Sequence, residues 1–313
     1  MDTLRTMRLF VRVVERGSFS GAAVDFGLSH GMASAAIKAL EMRLGVELIR
    51  RTTRRMALTE AGEEYLDRAR RILSEVDALD EAFAEGRGKV TGSLTLQVPA
   101  AFARLVLSPS LGDFLDRHPA LTLRVISRDR LPDMIAEPID LFVYTGPLPD
   151  SSLSLRSLGR FPILTVASPD YIARHGAPQT IEEIDRHRQI DILSATTGRV
   201  LDWRFQRYGR HVPRPGRAGL SFESSESAIA ACMGGAGVMQ NISYALADPI
   251  ASGRLVPVLT DHIDPGPDLS LLTRRLPRPP ARLRAMVAHL EQVVRQRRER
   301  DAALISPALT ALS

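Results

Sequence analysis

Residues 18–44, SFSGAAVDFGLSHGMASAAIKALEMRL, read as two short helices parted by a glycine. Ser20 is expected to cap the first, its hydroxyl satisfying one of the free N–H groups at a helix start. Gly27 suits the left-handed residue that ends a helix, and Ser29 caps the next, which runs from His30 to Leu44 and is closed by Gly45. Two short helices joined by a tight glycine turn cross steeply. That is helix-turn-helix geometry, with the second helix presented to a DNA major groove. Ala23 sits at the contact, where only a small side chain fits, and Ala33, Ile37, Leu40 and Leu44 form a stripe for burial at helical spacing. The competing reading is an ordinary helical hairpin, and the flanking segments weigh against it.

Upstream, Leu4, Met7, Phe10, Val11 and Val14 share a face, so residues 2–16 form a helix that packs beneath the pair. Downstream, Leu48-Ile49-Arg50-Arg51 and Met56-Ala57-Leu58 make two short strands around a polar turn, Thr52-Thr53-Arg54-Arg55. This hairpin, or wing, carries four arginines within six residues, placed to reach phosphates beside a groove. Thr59 then caps a long helix whose first turns hold Glu60, Glu63 and Glu64, at the positive end of the helix dipole. Its apolar stripe (Tyr65, Leu66, Ala69, Ile72, Leu73, Val76, Leu79, Phe83) runs to about residue 86, roughly 40 Å, too long for a small winged domain to cover. Its mate is read as the same helix of a second subunit. Gly86-Arg87-Gly88-Lys89 is the hinge into the remainder.

At 313 residues the chain is too long for one small core, and two or three domains are expected. Its composition is globular, 44% hydrophobic and 25% charged, with a net charge of +5 that permits a nucleic-acid partner. Residues 1–62 hold ten basic side chains against six acidic ones, so most of the excess lies in the first fifth of the chain. Lys38 and Lys89 are the only lysines, an arginine bias read as genomic base composition rather than function. The opening Met-Asp-Thr-Leu-Arg-Thr carries no signal peptide and no apolar run spans a bilayer, so the expectation is a cytoplasmic protein without a membrane partner. The sole cysteine, Cys232, has no disulfide or metal-cluster partner and is expected to pack inside a helix over 225–234.

The stretches MRLFVRVVERGSFSGAA and LSHGMASAAIKALEMRLGVELIRRTTRRMALTEAG, with the long helix after them, resemble the N-terminal part of the LysR-type transcriptional regulators. The resemblance continues through DFLDRHPALTLRV, IDLFVYTGPLPDSSL, ASPDYIARHG and GGAGVMQNISYALADPIASGRLVPVL. It implies an α/β chain with an all-α winged helix-turn-helix (1–58), a linker and dimerisation helix with hinge (59–88), and an effector-binding domain (89–297). The last is periplasmic-binding-protein-like, with half I over 92–160 and 267–297 and half II over 161–266. Residues 298–313 lie past the usual family end and are read as a flexible tail. DNA contacts carry over to Ser29, His30, Gly31, Met32, Ser34, Ala35 and Lys38 of the second helix and to Arg50, Arg51, Thr53 and Arg54 of the wing. The sequence departs from the family where glutamine and then proline or serine are usual (here His30 and Gly31) and where arginine is usual (here Ala35). His30, Ser34 and Lys38 share the exposed face, while Gly31 and Ala35 offer little to a base edge, so affinity leans on the wing arginines.

Residues 92–295 alternate strand and helix, with strands read at 93–98, 121–126, 139–144, 162–166, 190–193, 219–223, 254–258 and 269–273. A helix follows Pro99 as far as Arg117, and another closes the domain from 280 to about 297. This order implies parallel sheets covered on both faces. Ligands of open parallel sheets sit outside the carboxyl ends of the strands. That rule selects Pro99, Ala100, Ala101 and Phe102; Tyr144, Thr145 and Gly146; Ser194 and Thr196; Ser224; and the turn at Met239 and Gln240. Helix starts after Pro99 and near Ser224 suit a carboxylate. Tyr144 stands where the family often has arginine, and Ala100–Ala101 where it often has serine or threonine, which favours a larger, less charged effector.

Gly234-Gly235-Ala236-Gly237 lacks the order of a dinucleotide-binding loop. His118, His175, His187, His211 and His262 lack metal-ligand spacing, and no catalytic constellation is recognisable, so no metal, cofactor or enzymatic activity is expected. The reading is a transcriptional regulator: a homodimer or dimer of dimers that binds double-stranded promoter DNA and a small-molecule effector, with RNA polymerase admitted as a further partner. Its rival is a cytoplasmic small-molecule-binding protein whose N-terminal domain only dimerises.

Overall fold

The computed structural model describes residues 2–51, 56–84, 90–130, 139–146, 153–217, 219–276 and 278–310. They form two compact units, one built mainly from residues 1–90 and the other from Thr91 onward.

In the first unit, α1 (Thr3–Arg16), α2 (Phe19–Asp25) and α3 (His30–Leu44) precede the strands β1 (Ile49–Arg51) and β2 (Met56–Leu58) and the helix α4 (Glu60–Ala84). The cap of α2 is Ser18, whose Oγ accepts from Gly21 N, and not Ser20, which lies within the helix. Gly17 takes φ +60° and ends α1, which leaves Ser18 extended and free to cap, with Phe19 turned into the core. Gly27 adopts φ +64°, and Ser29 Oγ accepts from Met32 N at 3.2 Å, as expected from the sequence. Ala22, Ala23, Ala33, Ile37 and Leu40 are buried where α2 and α3 meet. Leu44, assigned to that stripe, is 39% exposed because the helix ends there. The face of α1 is likewise rotated by about one residue, with Thr6, Leu9, Phe10 and Val13 buried.

The wing strands pair antiparallel, Ile49 opposite Leu58 and Arg51 opposite Met56; the turn residues 52–55 lie outside the described residues. Glu41 Oε1 accepts from Leu48 N (2.9 Å) and Ile49 N (3.0 Å), which ties the last turn of α3 to the wing. Thr59 caps α4 as expected, accepting from Gly62 N at 2.9 Å while donating to Glu47 O at 2.6 Å.

The second unit contains two five-stranded sheets. In chain order its elements are β3 (Gly92–Val98), α5 (Ala100–Phe102), α6 (Leu111–Arg117), β4 (Leu121–Ser127), β5 (Leu141–Thr145), β6 (Leu153–Arg160), β7 (Ile163–Ala167), α7 (Pro169–His175), β8 (Gln189–Ile192), β9 (Trp203–Arg207), β10 (Arg210–Arg214), β11 (Ser221–Phe222), α8 (Ser225–Met233), β12 (Val238–Ile242), α9 (Ser243–Ala251), β13 (Val256–Val258), β14 (Asp268–Arg274) and α10 (Ala281–Thr310). One sheet has the order β4-β3-β5-β14-β6 and the other β11-β8-β12-β7-β13. The chain passes from the first to the second after β6 and returns before β14.

Neither sheet is wholly parallel, contrary to the sequence reading. β14 runs antiparallel to β5 and β6, and β7 runs antiparallel to β12 and β13, because the strands beside each crossing enter from the other half. The chain after β3 is helical from Ala100 to Arg117, as expected, but Ala103–Leu107 widens into a π turn ahead of Pro109.

The largest correction concerns the C-terminus. Residues 298–310 are not a tail: α10 continues unbroken to Thr310, with Asp301 and Ile305 buried. Cys232 packs in α8 with its Sγ toward the carbonyls of Val166 and Gly237, and burial pushes its thiol up to about 12. It is not a reactive thiolate.

Asp264 anchors the return crossing. Its backbone carbonyl accepts from Ile163 N at 2.9 Å, and its buried carboxylate bonds His211 Nδ1 (2.7 Å), Arg204 Nε (3.1 Å) and Gly266 N (2.8 Å). Burial alone would raise this carboxyl's pKa, but the three partners outweigh burial and hold it below the usual range. A depressed acid contributes stability above its unfolded pKa, about 3.9, and that contribution is lost as pH falls through the folded value. Asp264→Asn is therefore expected to be less stable than the parent chain at pH 7. Thermal melts between pH 7 and pH 3 should show the two converging toward acid; a constant gap would contradict this.

Candidate nucleic-acid interface and effector cleft

The face of α3 turned to solvent is defined by the burial of Ala33, Ile37 and Leu40 on the other side. It presents His30, Gly31, Met32, Ala35, Lys38 and Met42, with Ser34 half-buried beside them. Ser29 is committed to its cap, and the His30 ring stands edge-on to Phe19 at 6.2 Å between centroids. The centre of the face is therefore short of hydrogen-bonding groups: Met32 is 58% and Met42 69% exposed, and Lys38 is the cation among them. Gly31 has open space where a side chain would stand. On the wing, Arg50 is exposed on β1; the side chain of Arg51 and all of Thr53 and Arg54 lie outside the described residues.

Some of the positive charge counted in the sequence is already paired. Asp25 accepts from Arg12 Nε (2.6 Å) and Arg16 NH2 (2.7 Å), and these arginines hold its carboxyl below the usual range. The pairing crosses from α1 to α2 and was not foreseen, since the three residues share no periodic pattern.

In the second unit, β3, β4 and β5 of one half run parallel to one another, as do β8 and β11 of the other, and the residues expected to line an effector cleft lie at the carboxyl ends of these strands. Ala100 is exposed and Ala101 half-buried at the start of α5, behind the buried Pro99. One of the free N–H groups expected there for a ligand carboxylate is occupied, because Ala100 N donates to Asp129 Oδ1 at 3.3 Å. Burial raises the pKa of Asp129, and the nearby carboxylate of Glu223 adds to the rise. Ser224 likewise caps α8 by accepting from Ser227 N. Tyr144 and Thr145 are half-buried at the end of β5, with the phenol ring folded beside Gly146. Ser194 closes a turn by accepting from Thr197 N, and Thr196 is exposed at its tip.

Three expected effector contacts fall elsewhere. Met239 and Gln240 form no turn; they lie in β12, in the middle of the second sheet. Met239 is fully buried, while Gln240 spends its amide on Arg204 N, Arg204 O and Thr165 Oγ1. Phe102 is a core residue packed edge-on against Tyr244. In their place the structure brings Asp129, beside the expected strand end at Glu223, and a pair not foreseen, Arg104 and Glu226, whose Nε and Oε1 are 2.6 Å apart. Arg104 follows α5 in one half and Glu226 begins α8 in the other, so this exposed pair bridges the two. Being exposed, it is a weak latch. Gln97, buried at the end of β3, donates to Arg130 O, and its Oε1 has no partner among the described residues.

Among the described residues no group of three His, Cys, Asp or Glu side chains stands close enough to hold a metal ion, and no helix is long and apolar enough to cross a membrane. A winged helix-turn-helix followed by a two-lobed α/β unit with a cleft defines a DNA-binding protein governed by a small molecule. Comparison with known proteins gives the family. The model of the LysR substrate binding domain matches residues 87–295, and that of the bacterial regulatory helix-turn-helix protein, lysR family, matches residues 4–63. This chain belongs to the LysR-type transcriptional regulators, a family of regulators and not of enzymes.

Among its relatives, the regulator CrgA of Neisseria meningitidis serogroup B is 32% identical over 259 residues, 82% of this chain and 85% of that protein. DmlR of Escherichia coli K12 is 31% identical over 300 residues, 93% of this chain and 94% of that protein. The solved structure of CrgA superposes with a TM-score of 0.60 at 28% identity, covering 94% of this chain and 99% of that one. Full-length LysG of Corynebacterium glutamicum, solved with bound effector arginine, shares the fold with a TM-score of 0.61 at 19% identity over 94% of this chain and 99% of that one.

Proposed function

We propose that this regulator acts in the cytoplasm as a homodimer or dimer of dimers on an interrupted two-fold DNA site. Its half-sites lie about one helical turn apart, roughly 34 Å, or a multiple of that. The DNA-binding domain spans 1–58 and the linker helix 59–88, with α4 pairing with its copy in a second subunit. The effector domain begins at 89 and takes in α10. The observation that carries this reading is the exposed face of α3, which adjoins the wing strand bearing Arg50. Because that face offers one cation and two methionines, phosphate contacts by Arg50, Arg51 and Arg54, with Thr53 beside them, supply most of the affinity. Ser29, His30, Gly31, Met32, Ser34, Ala35 and Lys38 set the fit of the helix to the groove.

A small molecule settles in the cleft against Pro99, Ala100, Ala101, Tyr144, Thr145, Gly146, Ser194, Thr196 and Ser224. The helix start after Pro99 already faces Asp129, and Tyr144 stands in place of an arginine, so the ligand is larger and less charged than a small carboxylate. Binding changes closure of the halves and so the spacing of the DNA-binding domains; the ligand shifts that balance only by its differential affinity for the two arrangements.

Footprinting of the purified protein on DNA upstream of its own gene, at several salt concentrations and with and without cell-extract metabolites, tests the whole. The double variant Arg51→Ala/Arg54→Ala is expected to bind about 10–100-fold more weakly near physiological salt, with the slope of log K against log salt reduced by about two. Unchanged retention of promoter DNA would refute the role of the wing and favour a small-molecule-binding protein whose first unit only dimerises. Ala35→Arg should strengthen binding, since it restores a guanidinium to the centre of the face.

A further inference from the structure

The second unit holds a groove that is separate from the cleft. It lies where both crossings between the halves meet the C-terminal part of α10, and this open groove has a volume of about 1150 Å³. This exceeds the roughly 300–1,000 Å³ in which drug-sized ligands sit. Its apolar surface comes from Phe161, Leu164, Ile263 and Ile305. The wall given by residues 298–306 lies past residue 295, where the match to the family's substrate binding domain ends.

The polar groups around it are unevenly satisfied. Arg160 and Asp268 cancel in a two-pronged pair, with both contacts at 2.9 Å. Arg297 and Asp301 cancel across 2.7 Å. That leaves Arg295 and Arg298, exposed and without partners among the described residues, against the single carboxylate of Glu299. Asp301 is 2% exposed, and its Oδ2 has no partner among the described residues. A buried acceptor left in this condition is unfavourable until a donor reaches it.

We infer that this groove is a second small-molecule site, at the hinge of the effector domain, for an amphipathic organic anion that carries a hydrogen-bond donor. Its apolar body lies on Phe161, Leu164 and Ile305, its anionic end meets Arg295 and Arg298, and its donor reaches Asp301 Oδ2. The site is placed to regulate. Arg297, bonded to Asp301, also donates to the carbonyls of Leu105 in one half and Tyr244 in the other. A ligand bonded to Asp301 therefore bears on a side chain that holds the two halves together, and it biases their closure independently of any molecule in the cleft.

The probe is 8-anilinonaphthalene-1-sulfonate, which has two aromatic systems, a sulfonate and an anilino N–H, titrated into the full chain by fluorescence. Saturable, blue-shifted emission is expected. Ile305→Trp, which fills the groove, and Arg298→Glu, which reverses its charge, should each weaken binding at least about tenfold with unchanged circular dichroism. Ala302→Phe, at an exposed groove position, serves if Ile305→Trp fails to fold. Ala100→Trp, in the cleft, should leave probe binding as it was. The inference is overturned by absence of saturable emission from the parent chain, by groove variants that bind as well as it does, or by loss of binding in Ala100→Trp. It is also overturned if the groove variants change the sedimenting mass, which would make the groove a contact between copies. Probe binding without any DNA protection would retain this site while defeating the proposed function.

Discussion

Replacing Gly62 by alanine is expected to unfold the DNA-binding unit at temperatures where the parent chain is native. Gly62 lies in the first turn of α4, under the carbonyl that begins the wing. A Cβ built there would stand 2.0 Å from Leu48 O, closer than any real contact, and 3.0 Å from Leu48 C. Neither neighbour can yield. Leu48 O already accepts from Thr59 N at 3.0 Å, Leu48 N is held by Glu41, and the Leu48 side chain is 1% exposed. Separating the helix from the strand would also stretch the Gly62 N bond to Thr59 Oγ1 that caps α4.

Overpacking against fixed backbone of this kind costs about 3 kcal/mol or more, a large share of the stability of a small domain. By calorimetry the transition of the first unit should fall by roughly 10–20 °C, and promoter binding at 37 °C should fall with it. Gly31→Ala is the matched control. Its new methyl meets nothing nearer than Ser29 Oγ at 3.9 Å, and it replaces a glycine inside a helix, so it should melt no lower than the parent. If Gly62→Ala melts within a couple of degrees of the parent chain, the close approach is not a constraint on the fold.

Gly62 also shows which parts of this fold are legible in the sequence. The helix-turn-helix is written in local chemistry: caps at Ser29 and Thr59, left-handed stops at Gly27 and Gly45, and an apolar stripe of period 3.6. Each acts within a few residues, so each can be read without knowing what packs against it. The error at Ser20 is of the same local kind, since both Ser18 and Ser20 offer a hydroxyl and only the φ of +60° at Gly17 selects the former. A glycine demanded by a neighbour fourteen residues earlier has no local signature.

The second unit is less legible for that reason. Its parallel core strands are continuous apolar runs, but β6, with mostly exposed residues, and β12, taken for a turn, have no such pattern. The hairpin β9–β10 does alternate, burying Trp203 and Phe205, and it turns at Tyr208-Gly209 with φ of +51° and +73°. A tyrosine in that conformation is not a turn signal one would trust. The cleft suffers most. Which strand ends converge follows from topology, but the pairing of Arg104 with Glu226 spans 122 residues, and nothing in either segment announces it. The charged run Arg295–Asp301 interrupts the apolar pattern and suggests a helix end at about 297, but Ile305 continues the buried face of α10.

Arg297→Ala should be among the most damaging single changes in the effector domain. The side chain is 7% exposed and donates to three acceptors, Leu105 O, Tyr244 O and Asp301 Oδ1. Its removal takes from the buried Asp301 carboxylate its hydrogen-bonded counter-charge and leaves the weaker field of Arg300, and loss of one partner of a buried pair costs about 3–5 kcal/mol. Arg297→Ala/Asp301→Ala removes the stranded charge as well, so it should be more stable than the sum of the single losses predicts. The sign of the pH dependence follows from Asp301. Burial raises its pKa, Arg297 opposes the rise, and Asp248 adds to it. Without Arg297 the rise is larger. A raised acid contributes stability below its unfolded pKa and loses it as pH climbs through the folded value. The deficit of Arg297→Ala against the parent chain, measured by urea unfolding, should therefore widen from pH 4.5 to pH 8. The double variant should show no such widening. Equal deficits at both pH values, or single losses that simply add, would mean that Arg297 acts through its carbonyl contacts alone and that the charge on Asp301 is irrelevant to holding the halves together.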